Sequence, residues 1–324
     1  MKGLSKDVVD VLMASWRGDT QKQYGIHLRN WGRFCRTLKI DPYKPAVPQA
    51  LRFLNQLYKK GYSYSYINTA RCALSTFITP GGRTLGTNAL VTRFMKGIFN
   101  LRTPQPRYSQ IWDVATVFKH LRKLAPARKL TLKQITLKLA TLLALITASR
   151  AQTLSYLKIS HMTLSEFKCT FTIDQAIKQT RPGNVHTGRT IVLKGYPPDR
   201  RLCPIVLLRE YIKRTKAIRK TCKTLFVTWL KPHGAAAPAT ISRWVKTTLH
   251  AAGIDTTTFS GHSTRTASTS AAAQARLPIK TILQTAGWST EATFAKFYNK
   301  PILKEGEFQD AVMRNSKTRI RKKK

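Results

Sequence analysis

Apolar residues recur every three or four positions through the first hundred residues, with turn-forming residues between the apolar runs. Within residues 20–38, one such stripe consists of Tyr24, Leu28, Trp31, Phe34 and Leu38. This spacing predicts an amphipathic helix whose apolar face packs inward. Prolines near helix starts and glycines near helix ends mark further predicted helices over residues 48–60, 63–78 and 88–102. The sequence therefore predicts a compact helical unit with basic outer faces.

A short segment rich in proline and arginine follows this unit. Residues 102–108 read R-T-P-Q-P-R-Y, and proline disfavours helix at its own position and at the preceding one. We therefore predict a helical domain over residues 1–103, an extended linker over residues 104–110 and a second domain over residues 111–315. An ordinary interhelical loop is the alternative to the linker.

Short stretches with strand chemistry interrupt the helices in the second half of the chain. A long, largely apolar helix is predicted over residues 131–148. Residues 167–173 and 189–193 are rich in β-branched and aromatic side chains, and turn-forming residues lie between them at 181–184, which predicts a small antiparallel sheet. The predicted fold class is mainly α with a small antiparallel sheet (α+β). Further helices are predicted over residues 204–216, 240–252, 263–275 and 278–285, and a last one carries Tyr298.

The net charge indicates the class of partner. The 324 residues include 57 Lys and Arg against 14 Asp and Glu, a formal net charge of +43. Such an excess favours a nucleic acid over acidic lipid or small acidic substrates, and a ribosomal-type RNA-binding protein is the alternative. With 42% hydrophobic residues, a chain of this length can bury cores in about two domains.

The cysteines and the amino terminus favour a soluble intracellular protein. The five cysteines are scattered, without a C-x-x-C pair or a histidine at ligand spacing, so we predict neither disulfides nor a zinc site and expect a reducing compartment. Residues 1–10 lack the apolar core of a signal peptide, and no apolar run reaches membrane-spanning length.

The last third of the chain carries a series of groups suited to phosphodiester chemistry. Residues 261–265 read G-H-S-T-R, which places His262 and Arg265 one turn apart at a predicted helix start, where both can reach one phosphate. Downstream, the strings A-G-W-S and F-A-K-F-Y supply the Trp288 indole and the Tyr298 phenol. Each group alone has a structural alternative, either a solvated histidine at a helix start or a core aromatic residue.

Arg150 lies where the long apolar helix is predicted to end, in T-A-S-R-A-Q-T-L. A guanidinium at a buried helix end is costly unless an anion meets it, although it can also cap helix carbonyls. Together, the guanidiniums of Arg150 and Arg265 can donate paired hydrogen bonds to the oxygens of one phosphate. Cations beside Tyr298 also favour phenolate character during attack. Trp288 can donate its indole N–H to the same phosphate. No metal is then required.

In this order, the motifs resemble those of the tyrosine recombinases, or phage integrase family. The strings G-H-S-T-R and W-S-x-x-x-T-F-x-x-F-Y are similar to those of DIRS-like and Ngaro-like retrotransposon recombinases. The resemblance implies that Arg150 and Arg265 bind the phosphate, that His262 acts as acid or base, that Trp288 fills the His/Trp position and that Tyr298 is the nucleophile. It extends over residues 141–301.

The resemblance also implies a general acid, a lysine in the turn of a β-hairpin that protonates the departing 5′ oxygen. Lys178, in I-K-Q-T-R-P-G, is the best match. Arg181 and Arg189 are other basic residues in the same hairpin that could take this role. Alternatively, Lys178 is an ordinary solvated surface lysine without a catalytic role.

Two features depart from the pattern of the family. Thr153 stands where many relatives carry a carboxylate, three residues after the first arginine. The interval from Trp288 to Tyr298 is one residue longer than in the commonest bacterial pattern, and Phe297 occupies the shorter spacing. The F-Y pair is similar to the retroelement subgroup.

An activity and a set of partners follow from the resemblance. A SAM-like core-binding domain and the catalytic domain would close around double-stranded DNA as a clamp, and Tyr298 would form a 3′-phosphotyrosyl link without cofactor or metal. Four protomers would act on two duplexes, from a free monomer or dimer, to integrate a mobile element in the nucleus.

Residues 302–315 are a candidate for docking onto a neighbouring protomer, and the basic tail at 316–324 is either a nuclear-import signal or a DNA-contacting arm. The alternatives are an inactive recombinase-derived DNA-binding protein, a type IB topoisomerase-like enzyme and a basic RNA-binding protein.

Overall fold

The structure is a computed structural model that describes residues 5–178, 180 and 190–302. It divides into two compact units, Met1–Pro106 and Arg107–Lys324.

The described part of the first unit consists of helices around one apolar core. Leu28, Trp31 and Phe34 of the predicted stripe pack into this core. The buried Trp31 stacks on Phe34 and meets Phe53 edge-on. The Trp31 indole N–H donates to the Pro42 carbonyl at 3.0 Å, so its one polar atom is satisfied. The helices are α1 (Lys6–Ala14), α2 (Gly18–Thr37), α3 (Val47–Lys59), α4 (Tyr64–Leu74) and α5 (Ala89–Leu101).

The second unit is built around its long helix α7 (Leu132–Ile146). Ten of the fifteen residues of α7 are buried, as expected for a helix that is apolar nearly all round. A capping box starts it, because the Thr131 hydroxyl accepts from the Gln134 N–H and the Gln134 side-chain oxygen accepts from the Thr131 N–H. The helices are α6 (Val114–Lys123), α7 (Leu132–Ile146), α8 (Ala151–Ser155), α9 (Pro204–Thr215), α10 (Pro238–Ala251), α11 (Ser263–Gln274), α12 (Ile279–Ala286) and α13 (Glu291–Phe297).

Among the described residues, three short strands form an antiparallel sheet in the order β1-β2-β3. Cys169 lies opposite Leu193 and Phe171 opposite Ile191, and all four side chains are buried. Their neighbours along each strand face outward, which is the alternation of a half-buried sheet. The strands are β1 (Met162–Leu164), β2 (Lys168–Thr172) and β3 (Thr190–Lys194).

The predicted fold class is confirmed, while several elements differ from the prediction. α7 ends at Ile146 instead of residue 148, because Ala148 has a φ of 47° and cannot continue a right-handed helix. Tyr298 directly follows α13 and is not part of it. α1, α6, α8 and β1 are additions, since such short elements carry little periodicity. The predicted turn at residues 181–184 lies outside the described residues.

Within the part of the chain that the structure describes, none of the helices combines the length and the apolarity needed to cross a lipid bilayer.

Candidate active site

Arg150 lies in the bend between α7 and α8. The left-handed residue Ala148 turns the chain, and Arg150 follows as the N-cap of α8 with extended backbone. It therefore starts a short helix and does not close the long apolar one, which corrects the interpretation from sequence. Burial lowers the pKa of its half-buried guanidinium, and its Nη1 atom is buried without a hydrogen-bond partner among the described residues. Such a donor favours an incoming acceptor.

Two backbone carbonyls accept hydrogen bonds from the guanidinium of Arg265. Its side chain is buried, with 1% of the residue exposed. Nη1 donates to the Ala148 carbonyl at 2.6 Å, and Nη2 donates to the Ala286 carbonyl at the end of α12. Its Nε has no partner among the described residues. The guanidinium is therefore fixed in place while one N–H stays available for a ligand.

The two guanidiniums are neighbouring cations that no carboxylate neutralises within the described residues. Neither forms an ion pair with a carboxylate among the described residues, and the residue at the family's carboxylate position is the buried Thr153. Burial, followed by the charge of Arg150, lowers the pKa of Arg265. Two neighbouring, partly desolvated like charges are unfavourable until an anion neutralises them.

A tight backbone contact sets the start of α11. A Cβ atom on Gly261 would lie 2.5 Å from the Ser242 carbonyl oxygen on α10, so only glycine permits this approach. The Ser263 hydroxyl donates to the Ser260 carbonyl at 2.7 Å and accepts from the Trp112 indole N–H at 2.9 Å. These contacts fix the first turn of α11, which carries the two candidate groups of G-H-S-T-R.

His262 is the N-cap residue of α11. Although the residue is partly open to solvent, burial and the charges of Arg265, Arg150 and Lys178, in that order, together lower the pKa of His262 to about 4. At neutral pH the imidazole is therefore uncharged and can accept a proton.

Lys178 lies in the turn after β2. The Ile177 N–H donates to the Thr180 hydroxyl at 3.1 Å, and the Thr180 N–H donates to the Ile177 carbonyl at 2.9 Å. The Ile177 side chain is buried, whereas Lys178 is exposed. The charge of Lys178 is the smallest of the effects that lower the pKa of His262, so the ammonium is near enough to act on the imidazole. Arg181 and Arg189, the alternative basic residues, lie outside the described residues.

The rings of Trp288 and Tyr298 pack together over Arg265. Their centroids are 4.2 Å apart, and the Arg265 Cζ lies 4.5 Å from the Trp288 ring and 5.6 Å from the Tyr298 ring. The phenol also interacts with Arg150 and Arg265 closely enough to raise the pKa of each guanidinium against the effect of burial. The Trp288 Nε1 is buried without a partner among the described residues.

The chain around Tyr298 is fastened to its own unit. The Ser270 hydroxyl on α11 donates to the Tyr298 carbonyl at 2.7 Å and accepts from the Lys300 N–H at 3.1 Å. Further along the chain, the Pro301 carbonyl accepts from the Ile111 N–H at 2.8 Å. The phenol is thereby held beside arginines of the same chain.

The structure brings Arg150, Arg265, Trp288 and Tyr298 together, and the charges of Arg150, Arg265 and Lys178 act on His262. Among the residues it describes, no group of three or more His, Cys, Asp or Glu side chains is placed to hold a metal ion.

The sequence shows a family match over most of this unit. Residues 117–302 match the phage integrase family. The chain belongs to the phage integrase family. No curated protein matches the sequence significantly.

Solved structures of integrases and recombinases share the fold of this phage integrase family member. A lambda integrase dimer bound to a COC′ core site is 16% identical, with a TM-score of 0.54, and 90% of this chain and 93% of that chain are covered. XerH site-specific recombinase bound to a palindromic difH substrate is 15% identical, with a TM-score of 0.52 and coverages of 82% and 71%. The Tn1549 transposon integrase in complex with transposon right-end DNA is 14% identical, with a TM-score of 0.51 and coverages of 91% and 98%. The likeness shows a common fold.

Three contributors to this phage integrase site were missed by sequence reasoning. The carbonyls of Ala148 and Ala286 hold Arg265, and Ser270 holds the chain at Tyr298. Every residue has a backbone carbonyl, so the sequence does not show which carbonyls accept hydrogen bonds from Arg265. Ser270 stands in the small-residue run S-T-S-A-A-A, which indicates close helix packing but no particular partner.

Proposed function

We propose that this chain is a site-specific DNA recombinase that cleaves and rejoins DNA through a 3′-phosphotyrosyl intermediate. One observation carries the proposal: Arg150, Arg265 and Trp288 each have a buried N–H without a partner among the described residues, and all three side chains surround the Tyr298 phenol. The non-bridging oxygens of a phosphodiester are the acceptors that such donors suit best. The net charge of +43 favours the approach of the DNA backbone.

In the cleavage step, the Tyr298 oxygen attacks phosphorus and the bond from phosphorus to the 5′ oxygen breaks. His262, neutral because of its lowered pKa, accepts the phenol proton. Lys178 donates a proton to the 5′ oxygen, which leaves as a hydroxyl. The guanidiniums of Arg150 and Arg265 stabilise the added negative charge on the pentavalent phosphorus. One phosphate ester replaces another, so the energy of the bond is conserved.

Rejoining reverses these roles with a different strand. The 5′ hydroxyl of a partner strand attacks the phosphotyrosine, and the Tyr298 oxygen leaves and regains its proton. Exchange of both strands between two duplexes requires four cleavages, and each protomer carries one Tyr298, so we propose a tetramer on two duplexes. The F-Y pair at Phe297 and Tyr298 supports integration of a DIRS-like or Ngaro-like element in the nucleus.

Covalent capture on nicked DNA tests the proposal. A library of duplexes with a randomised core carries a nick just beyond each candidate phosphate, so the 5′-hydroxyl fragment diffuses away and the adduct accumulates. We expect an SDS-resistant protein–DNA adduct with the wild type and none with Tyr298→Phe, while both bind duplex with the same salt dependence. Tyr196→Phe, which alters an exposed tyrosine, is the matched control and should retain the adduct.

Two results would contradict the proposal. An adduct that persists in Tyr298→Phe would place the nucleophile elsewhere. The absence of any wild-type adduct across the library would favour a DNA-binding protein without cleavage activity. Relaxation of supercoiled plasmid without site preference would instead favour a topoisomerase of type IB.

A further inference from the structure

A second cleft lies in the carboxyl-terminal unit, away from the Tyr298 site. Its volume is about 690 Å³, and it lies between the turn after α6, the middle of α7 and the first turns of α9. Sites for small molecules measure roughly 300–1,000 Å³. Lys138 forms its α7 wall, about 12 Å along the helix axis before the carboxyl end of α7. None of the six candidate catalytic residues lines this cleft.

The walls of the second cleft are strongly basic. Six basic side chains line it against one acidic side chain, that of Glu210. Arg128, Arg200 and Lys213 are exposed at its rim and form no ion pair among the described residues. The remaining basic members are Lys138, Arg201 and Arg209.

Lys138 is buried in this wall, with 1% of the residue exposed. Its Nζ donates to the Leu124 carbonyl at 2.5 Å, the one hydrogen bond of this ammonium within the described residues. Burial is the largest of three effects that together lower the pKa of Lys138 to about 8; the charge of Asp199 opposes it, and that of Arg201 adds to it. An ammonium has three donors, and a buried one with a single acceptor is stabilised by a nearby anion.

We propose that the second cleft binds a small anion carrying several phosphate groups, of the size of a nucleoside triphosphate. The cationic wall suits the phosphate oxygens, and the apolar side of the cleft suits the uncharged part of the ligand. This apolar side consists of Ala125, Pro126, Ala127, Val206 and Leu207. A concave cleft of this volume encloses a small ligand better than the extended backbone of a duplex.

Calorimetric titration of the full-length protein tests this proposal, with adenosine triphosphate and inorganic tripolyphosphate as probes in metal-free buffer. We expect one saturable site that Lys138→Met and Arg200→Gln each weaken by about tenfold, the usual effect of losing one charged contact. Lys246→Met removes an exposed charge outside the cleft and should change the affinity less than about twofold. At pH 8, binding should take up about half a proton in the wild type and none in Lys138→Met, because the anion raises the lowered pKa of Lys138.

Four outcomes would overturn the proposal. Unsaturable uptake, or equal weakening by all three substitutions, would show a diffuse response to the net charge. Unchanged affinity in Arg200→Gln would do the same even if Lys138→Met failed to fold. A duplex that displaces the triphosphate, and whose own affinity falls about tenfold in Lys138→Met and Arg200→Gln only, would assign the cleft to DNA phosphates.

Discussion

Replacing Trp288 with phenylalanine removes one N–H donor and leaves an aromatic ring in its place. The donor is buried without a partner among the described residues, and its ring lies 4.2 Å from the ring of Tyr298. If the indole N–H meets the phosphate, its loss removes one preorganised donor to developing charge, which costs about 10²–10³ in rate, or roughly 2.7–4 kcal/mol. We expect Trp288→Phe to form the tyrosyl–DNA adduct more slowly by this factor.

The free energy of unfolding should respond quite differently. Removing an unsatisfied buried donor from Trp288 recovers about 1–3 kcal/mol of desolvation. The smaller ring leaves a cavity that costs about as much, since each cubic ångström of cavity costs on the order of 24 cal/mol. The two effects oppose each other, so we expect a net change within about 2 kcal/mol. The rate and the stability should therefore respond differently to the same substitution.

Single-turnover quench experiments on a nicked duplex measure the rate, and urea unfolding measures the stability. Trp229→Phe is the matched control, because Trp229 packs against Trp244 with ring centroids 4.8 Å apart and lines no part of the site. If folded Trp288→Phe cleaved DNA at the wild-type rate, the indole would not be a phosphate donor and the anion site would rest on the arginines alone.

Other parts of the site make separate predictions. Lys178→Ala should slow cleavage by about 10²–10⁴-fold, and a 5′-bridging sulfur, which leaves without protonation, should restore the rate; failure of this rescue would exclude Lys178 as the general acid. The pKa of His262 is lowered to about 4 from an ordinary 6.5, so the stability from its neutral ring is present above pH 6.5 and is lost as the pH falls toward 4. The urea midpoint should therefore change less between pH 7 and about pH 4 in His262→Gln than in the wild type. An equal change in both proteins would contradict the lowered pKa. Gly261→Ala forces a Cβ against the Ser242 carbonyl and should lower the free energy of unfolding, measured by thermal unfolding, by about 1–3 kcal/mol. Wild-type stability would show that α10 can move away from the added Cβ without cost.

Long, regular elements and serial motifs were the predictable part of this molecule. The apolar stripe through Trp31 and the buried run of α7 follow from periodicity alone, because burial of one face repeats with the helical turn. The order and spacing of the family motifs predict that Arg150, His262 and Arg265 share one site, since the chemistry of phosphate transfer needs these groups together.

The remainder depends on tertiary contacts that residue identity does not encode. The left-handed backbone at Ala148 is unusual for alanine, so the end of α7 and the role of Arg150 as an N-cap could not be predicted. Likewise, the carbonyls that hold Arg265 come from segments far apart in the chain. The partnerless donors on Arg150 and Trp288 depend on how these side chains are buried in the folded unit, which residue identity does not show.

The Arg265 side chain has both a structural and a binding role. Two of its nitrogens donate to carbonyls at the ends of α7 and α12, while the third has no partner among the described residues and is left for the ligand. A lineage that lost recombination but kept the protein would lose both carbonyl contacts by replacing Arg265, whereas removing the Tyr298 hydroxyl would remove only its interaction with the two guanidiniums. Decay of the activity should therefore proceed first through Tyr298, the proposed nucleophile. Among descendants of this chain, an intact arginine beside a missing phenol would mark a protein that still binds DNA and no longer cuts it.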